Sequence, residues 1–175
     1  MAKRANSVYL SLVLPVFNEE ENLPVLMGEL YSVCNSLNRN FEIIFVDDCS
    51  KDRTPEILRQ IANKDSKVKV LRFSRNFGHQ AALSAGLDLA EGELVVTMDS
   101  DLQHPPRLIP EFIKYAENGS DIVIGERITN KQNSLVRENV GKIFYKFLSY
   151  ITDLEFKNVS ISAFALIVTI PRPVR

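Results

Sequence analysis

The chain has 175 residues, 45% hydrophobic and 25% charged, which places it among ordinary soluble chains long enough for one domain with a real core. Its 21 Lys and Arg nearly balance 22 Asp and Glu, for a net charge of -1. No global field recruits nucleic acid, and any anion binding has to come from local placement.

Met1 to Asn6 is short and basic, and the apolar run behind it is too brief for a signal peptide. Val8 to Leu14 is apolar and β-rich and reads as a strand stopped by Pro15. Asn22 to Leu37 carries Leu23, Leu26, Met27, Leu30, Cys34 and Leu37 at helical spacing. Phe41 to Val46 is a second strand running into Asp47 and Asp48, and Ser50 to Ala62 reads as a helix with an N-terminal turn. Val68 to Phe73 is a third strand, Gln80 to Ala90 a helix of small residues, and Glu93 to Met98 a fourth strand. Pro106 to Asn118 is another helix with Gly119 as its stop, and Asp121 to Ile124 a short fifth strand. Val140, Ile143, Phe144, Phe147, Leu148 and Ile151 form an amphipathic helical stripe. Val159 to Ile170 falls short of the roughly 18–20 apolar residues of a membrane helix and reads as a buried strand or strand pair. The abrupt end at Pro171-Arg172-Pro173-Val174-Arg175, with no polar tail, reads as the end of a fragment.

Alternating strands and helices with near-continuous apolar strands predict an α/β domain: a mostly parallel sheet covered by helices on both faces. With no repeat, low-complexity block or linker, residues 1–175 read as a single domain. Cys34 lies on an apolar helical stripe and Cys49 in a turn, with no C-x-x-C spacing, so a reduced, cytosolic compartment is the economical inference.

In such sheets ligands bind beyond the carboxyl ends of the strands. Polar residues follow all five strands there: Asn18 and Glu19, Asp47 and Asp48, Arg75 and Asn76, Asp99 and Asp101, and Arg127. The sharpest signal is Leu94-Val95-Val96-Thr97-Met98-Asp99-Ser100-Asp101, an apolar run entering two carboxylates spaced i and i+2. Residues two apart in extended backbone point the same way, so Asp99 and Asp101 can converge on one hard divalent cation that completes its shell with phosphate oxygens. The alternative is a pair of solvated loop acids. A G-x-G-x-x-G fingerprint and a Walker A loop are both absent, so phosphates would be met by a metal and by side chains such as Arg75.

Four motifs stand in order: Leu14-Pro15-Val16-Phe17-Asn18-Glu19-Glu20-Glu21-Asn22, Val46-Asp47-Asp48-Cys49-Ser50-Lys51-Asp52-Arg53-Thr54, Arg75-Asn76-Phe77-Gly78-His79, and Met98-Asp99-Ser100-Asp101-Leu102-Gln103-His104-Pro105-Pro106. Together they resemble the GT-A glycosyltransferases of family 2, and within them the branch of dolichol-phosphate mannose synthase and bacterial polyprenyl-phosphate glucosyltransferases. The resemblance covers about residues 8 to 156.

It implies the GT-A fold and a nucleotide-diphosphate sugar donor, a UDP-sugar being favoured. Pro15, Phe17 and Glu19 would lie along the nucleoside, Asp47 and Asp48 would hydrogen-bond the base, and Arg75 would assist at the donor. Asp99 and Asp101 would hold Mg²⁺ or Mn²⁺ against the diphosphate, with Gln103 near the sugar. Arg127, in Ile124-Gly125-Glu126-Arg127, matches an arginine beside the acceptor phosphate, and Arg137 matches more weakly. The implied reaction is inverting transfer of a hexose to a polyprenyl phosphate at the cytoplasmic face of the membrane. Lys142, Lys146 and Arg137 flank the 143–151 stripe as in a helix at a lipid surface, or the stripe packs on the sheet. Any homo-oligomer would form through membrane helices absent from this chain.

One segment departs from the pattern. Where the branch carries a G-D-F-R-L-like run, this chain has Ser162-Ala163-Phe164-Ala165-Leu166. That leaves open transfer to a sugar hydroxyl in polysaccharide synthesis, or a sugar-nucleotide-binding protein without activity. His79 reads as a helix-start or diphosphate neighbour, and His104 as loop decoration beside Pro105 or as a catalytic group. A phosphoacceptor receiver module is disfavoured, because a complete strand precedes the acidic pair.

Overall fold

The computed structural model describes residues 7–126 and 163–169. Arg127, Arg137 and the stripe from Val140 to Ile151 with Lys142 and Lys146 lie outside the described residues. The chain parts into two compact units, residues 1–123 with 165–175 and residues 124–164, and the cleft described below belongs to the first.

The elements run β1 (Leu10–Val16), α1 (Leu23–Ser36), β2 (Phe41–Asp47), α2 (Thr54–Lys64), β3 (Val68–Arg72), α3 (His79–Leu89), β4 (Leu94–Thr97), a 3-10 turn (Pro106–Leu108), α4 (Ile109–Glu117), β5 (Ile122–Glu126) and β6 (Ala163–Thr169). The strand order is β3-β2-β1-β4-β6-β5. β1 pairs in parallel with β2 and β4, and β2 with β3. β6 runs antiparallel to β4, with Leu94 opposite Thr169 and Thr97 opposite Leu166. Within the apolar run near the C-terminus, Ala163–Thr169 is thus a single strand that runs opposite to β4.

Alternation along β1 divides the core. Leu10, Leu12, Leu14 and Val16 face a layer built from Leu23, Leu26 and Leu30 of α1, Leu58 of α2, and Phe112 and Ile113 of α4. Val13 faces the other way, with Ile44, Val46 and Val95 against Ala82 of α3. α1 starts without a side-chain cap. A cap contributes about 1 kcal/mol, whereas each of the three fully buried leucines contributes roughly 1.5–3 kcal/mol, so packing holds this helix in place.

Pro15 does not end β1, which continues through it to Val16. The Val13 carbonyl accepts the Met98 N–H on the β4 side. Pro15, two residues on, faces the same side after β4 has ended at Thr97, so its missing N–H costs no ladder bond.

α3 lies close on the sheet because its inner face is small. A Cβ on Gly86 would overlap Val13 Cγ1 and stand 3.2 Å from Val46 Cγ2. This approach sets the height at which the N-terminus of α3 meets the strand ends.

Candidate functional site

The loops after β1, β2, β3 and β4 leave the same edge of the sheet and enclose a cleft of about 290 Å³. Pro15, Val16, Phe17 and Glu19 form one wall. Asp48, Asn76, Gly78, His79 and Ala82 form the second, and Asp99, Ser100 and Asp101 the floor after β4. Three non-glycine residues turn these loops through the left-handed region: Asn18 (φ 57), Cys49 (φ 63) and Leu102 (φ 61). Each follows directly on a motif residue. Such conformations cost roughly 1–3 kcal/mol and persist where surrounding contacts over-determine them.

Those contacts are explicit for the first two loops. Asn18 N–H donates to Ser50 Oγ at 2.9 Å, and Asn18 Oδ1 accepts Lys51 N–H at 2.8 Å. Glu19 N–H donates to Thr54 Oγ1 at 2.8 Å. Glu20 N–H donates to Asp52 Oδ2 at 3.1 Å, while Glu20 Oε2 accepts Arg53 N–H at 2.7 Å. Burial pushes the Asp52 carboxyl up, but hydrogen bonds from Thr54 and the Glu20 N–H outweigh it and hold the group below the usual range. Ser50, Asp52 and Thr54 therefore brace the Phe17–Glu19 wall.

Asp47 and Asp48 part company. Adjacent residues at a strand end point to opposite sides, so only one of them can face the cleft. Asp48 lines it, nearly fully buried, and its Oδ1 and Oδ2 accept the N–H groups of Phe77 and Gly78 at 2.7 and 2.8 Å. Asp47 is buried away from it, with Oδ1 accepting Ser50 N–H at 2.9 Å and Oδ2 lying 3.1 Å from Arg72 Nε. The pair expected to hydrogen-bond the base is thus split, with Asp48 in the cleft lining and Asp47 outside it. Arg75 likewise stands outside the cleft lining, its guanidinium 4.7 Å above the Phe77 ring.

The D-S-D turn is held at each residue. Asp99 N–H donates to His104 Nδ1 at 3.0 Å, Ser100 Oγ donates to the Pro15 carbonyl at 2.9 Å, and Asp101 Oδ1 accepts Gln103 N–H at 2.9 Å. Asp99 Oδ1 also faces His79 Nε2 at 3.6 Å. Gln103 is exposed just beyond the turn, outside the lining.

Of the expected residues, the cleft gathers Pro15, Phe17, Glu19, Asp48, Asp99 and Asp101, and does not gather Asp47, Arg75 or Gln103. Asn76 belongs to the polar rim expected after the third strand, whereas Gly78 and Ala82 were not anticipated as lining residues. The signal for Gly78 was its place before α3, where its φ of 91 is one that glycine adopts freely.

Among the described residues lining the cleft, Glu19, Asp48, Asp99 and Asp101 are carboxylates and none is Lys or Arg. These carboxylates repel an anionic ligand, and a bound cation would offset that repulsion. No group of three His, Cys, Asp or Glu among the described residues converges as a complete metal site. A two-carboxylate donor set suits an ion that takes its remaining ligands from phosphate and water.

The fold is that of the GT-A glycosyltransferases. The mannosyltransferase PcManGT from Pyrobaculum calidifontis, solved with GDP-Man and Mn²⁺, shares that fold with a TM-score of 0.64 over 94% of this chain and 45% of its own, at 17% identity. Residues 1–349 of S. aureus TarS, solved with UDP-GlcNAc, match with a TM-score of 0.56 over 72% of this chain and 36% of that one, at 27% identity. The chain belongs to glycosyl transferase family 2, whose sequence profile matches residues 11–168. The undecaprenyl-phosphate 4-deoxy-4-formamido-L-arabinose transferase of Photorhabdus laumondii is 40% identical over 144 residues, 82% of this chain and 44% of that protein. The chain spans about half the length of the curated relatives it matches.

Proposed function

We propose that residues 1–175 form one catalytic domain whose cleft binds a nucleotide-diphosphate sugar, a UDP-sugar, and that the whole protein transfers its hexose to a polyprenyl phosphate. The observation that carries the reading is the convergence of Asp99 and Asp101 with Phe17, Glu19 and Asp48 on one carboxylate-lined cleft at the strand ends. Similarity to a transferase named for undecaprenyl phosphate supports the acceptor class.

Asp99 and Asp101 would hold Mg²⁺ or Mn²⁺, which would supply charge stabilisation to the departing diphosphate. Phe17 and Pro15 offer an apolar wall for the nucleoside, and the wall is rigid because the 50–54 loop braces it. Asp48 stands beside that wall with oxygens that can accept a further hydrogen bond from a base N–H, since a carboxylate has about four acceptor sites. The acceptor phosphate oxygen attacks the anomeric carbon as the bond from that carbon to the diphosphate oxygen breaks, inverting the centre. Being anionic at neutral pH, the attacking group needs orientation more than a general base. Arg127 is the residue we assign to orient it.

Among the described residues no helix is long and apolar enough to cross a membrane. We place the domain at the cytoplasmic face of the membrane, with the Ile143–Ile151 stripe and Lys142 and Lys146 toward lipid. The test offers labelled UDP-hexoses with Mn²⁺ to polyprenyl phosphate in anionic liposomes and, separately, to soluble sugars. Label that moves to the lipid, with salt-sensitive flotation of the protein, is the expected result. Efficient transfer to a sugar hydroxyl without liposome association overturns the lipid acceptor.

A further inference from the structure

The turn that presents Asp99 and Asp101 is closed by a side chain that the proposed chemistry does not use. His104 keeps only 14% of its side chain exposed, and its Nδ1 accepts the Asp99 backbone N–H at 3.0 Å. A ring nitrogen that accepts this bond carries no proton, which assigns the His104 proton to Nε2. Nδ1 also lies 3.7 Å from Asp99 Oδ2, beyond hydrogen-bond distance, so the link to Asp99 runs through the backbone.

That link has a geometric consequence. Asp99 follows the last β4 residues, where the ladder ends with Met98 N–H on the Val13 carbonyl. Beyond that point the chain reverses through Leu102 at φ 61 before it reaches His104. Ser100 is tied to Pro15 and Asp101 to Gln103 N–H, but neither bond fixes the peptide that carries Asp99. The 99–104 bond holds that peptide, and so fixes the backbone from which the Asp99 carboxylate projects, beyond the end of β4.

We infer that His104 is a positioning residue of this site: by accepting the Asp99 N–H through Nδ1 it preorganises Asp99 and Asp101 for one divalent cation bound with a nucleotide diphosphate. The inference rests on the cleft reading proposed above. Groups that orient metal ligands typically account for about 10–100-fold in metal affinity. The acceptor's place on the side chain is the discriminating feature. Asn carries a carbonyl oxygen at the δ position, where the imidazole has Nδ1, whereas Gln carries its oxygen one bond further out and Ala carries none.

The experiment is isothermal titration of UDP into the 175-residue chain, in Mn²⁺ and in EDTA, for wild type, His104→Asn, His104→Gln and His104→Ala, with circular dichroism to confirm folding. The readout is the ratio of UDP affinities with and without Mn²⁺. We expect His104→Asn to keep this ratio within about threefold, and His104→Gln and His104→Ala to lose about tenfold or more of it. UDP affinity in EDTA should change by less than about twofold in all three. A wild-type ratio in His104→Ala, or equal losses in His104→Asn and His104→Gln, overturns the positioning role. Should His104→Ala not fold, the Asn–Gln comparison decides alone. Absence of an Mn²⁺ effect in the wild type is a different result: it overturns the cleft reading, and this inference with it.

Discussion

Asp48 offers a prediction that separates two roles for one carboxylate. Its oxygens accept the Phe77 and Gly78 N–H groups at 2.7 and 2.8 Å in a nearly fully buried setting. Asp48→Asn keeps the shape but turns one acceptor into an NH₂ group that faces an N–H donor. One charge-assisted bond is lost and the other becomes neutral, a cost of roughly 1.5–3 kcal/mol. For a chain of this size each kcal/mol lowers the melting temperature by about 2–4 °C, so the ligand-free variant should melt roughly 3–12 °C below wild type. Amide exchange at Phe77 and Gly78 should accelerate in parallel. Scanning calorimetry and exchange mass spectrometry, both without nucleotide, make the test. A ligand-free melting temperature within about 1 °C of wild type, with unchanged protection at 77–78, would refute the clamp and leave Asp48 a base contact alone.

Gly86→Ala should destabilise the chain by about 1–3 kcal/mol despite the better helix propensity of alanine, because its Cβ has no room against Val13; denaturant unfolding measures this, and a more stable variant would contradict the packing. Gly78→Ala meets no neighbour but forces a side chain onto φ 91, so it should cost roughly 1–3 kcal/mol and weaken UDP binding, read by melting and titration together. Burial raises the Glu42 carboxyl, but Lys69 at 2.7 Å, the Ser11 hydroxyl and the Glu91 N–H overcome it and hold the group below its usual range. Its stabilisation is therefore complete above the unfolded-state value and is lost as pH falls through the lower folded value. The stability gap between wild type and Glu42→Gln should stay constant near neutral pH and shrink on acidification, and a gap that widens in acid would reverse the assignment.

Much of this architecture was legible in the residues. The helical spacing of Leu23, Leu26, Leu30 and Cys34 and the apolar runs of β1, β2 and β4 state their own periods, and these elements fall within a residue or two of expectation. Asp99 and Asp101 both line the cleft, although they lie beyond Thr97, the last residue of β4, and not in the extended strand that the i, i+2 spacing assumed. Long-range pairing did not show in the sequence. Nothing in Ala163 to Thr169 announces that the strand enters antiparallel beside β4, because periodicity reports burial and not direction. Pro15 read as a stop because its tolerance depends on where a different strand ends. The side assignments of Asp47 and Asp48 needed the position of Arg72 and of the 77–78 amides, which belong to the next loop. Ser50, Asp52 and Thr54 read as part of a nucleotide motif, and their observed work is to brace the first loop.

The most direct test of the central claim is the metal dependence of nucleotide binding in Asp101→Ala. Titration of UDP into wild type and variant, with Mn²⁺ and with EDTA, compares the two ligands the cleft is read to hold together. Wild type should bind UDP at least about tenfold more tightly with Mn²⁺, and Asp101→Ala should lose that gain while melting within a few degrees of wild type. UDP binding by Asp101→Ala that is as tight with Mn²⁺ as in the wild type would contradict the assignment of Asp99 and Asp101 to the metal and, with it, the account of the cleft.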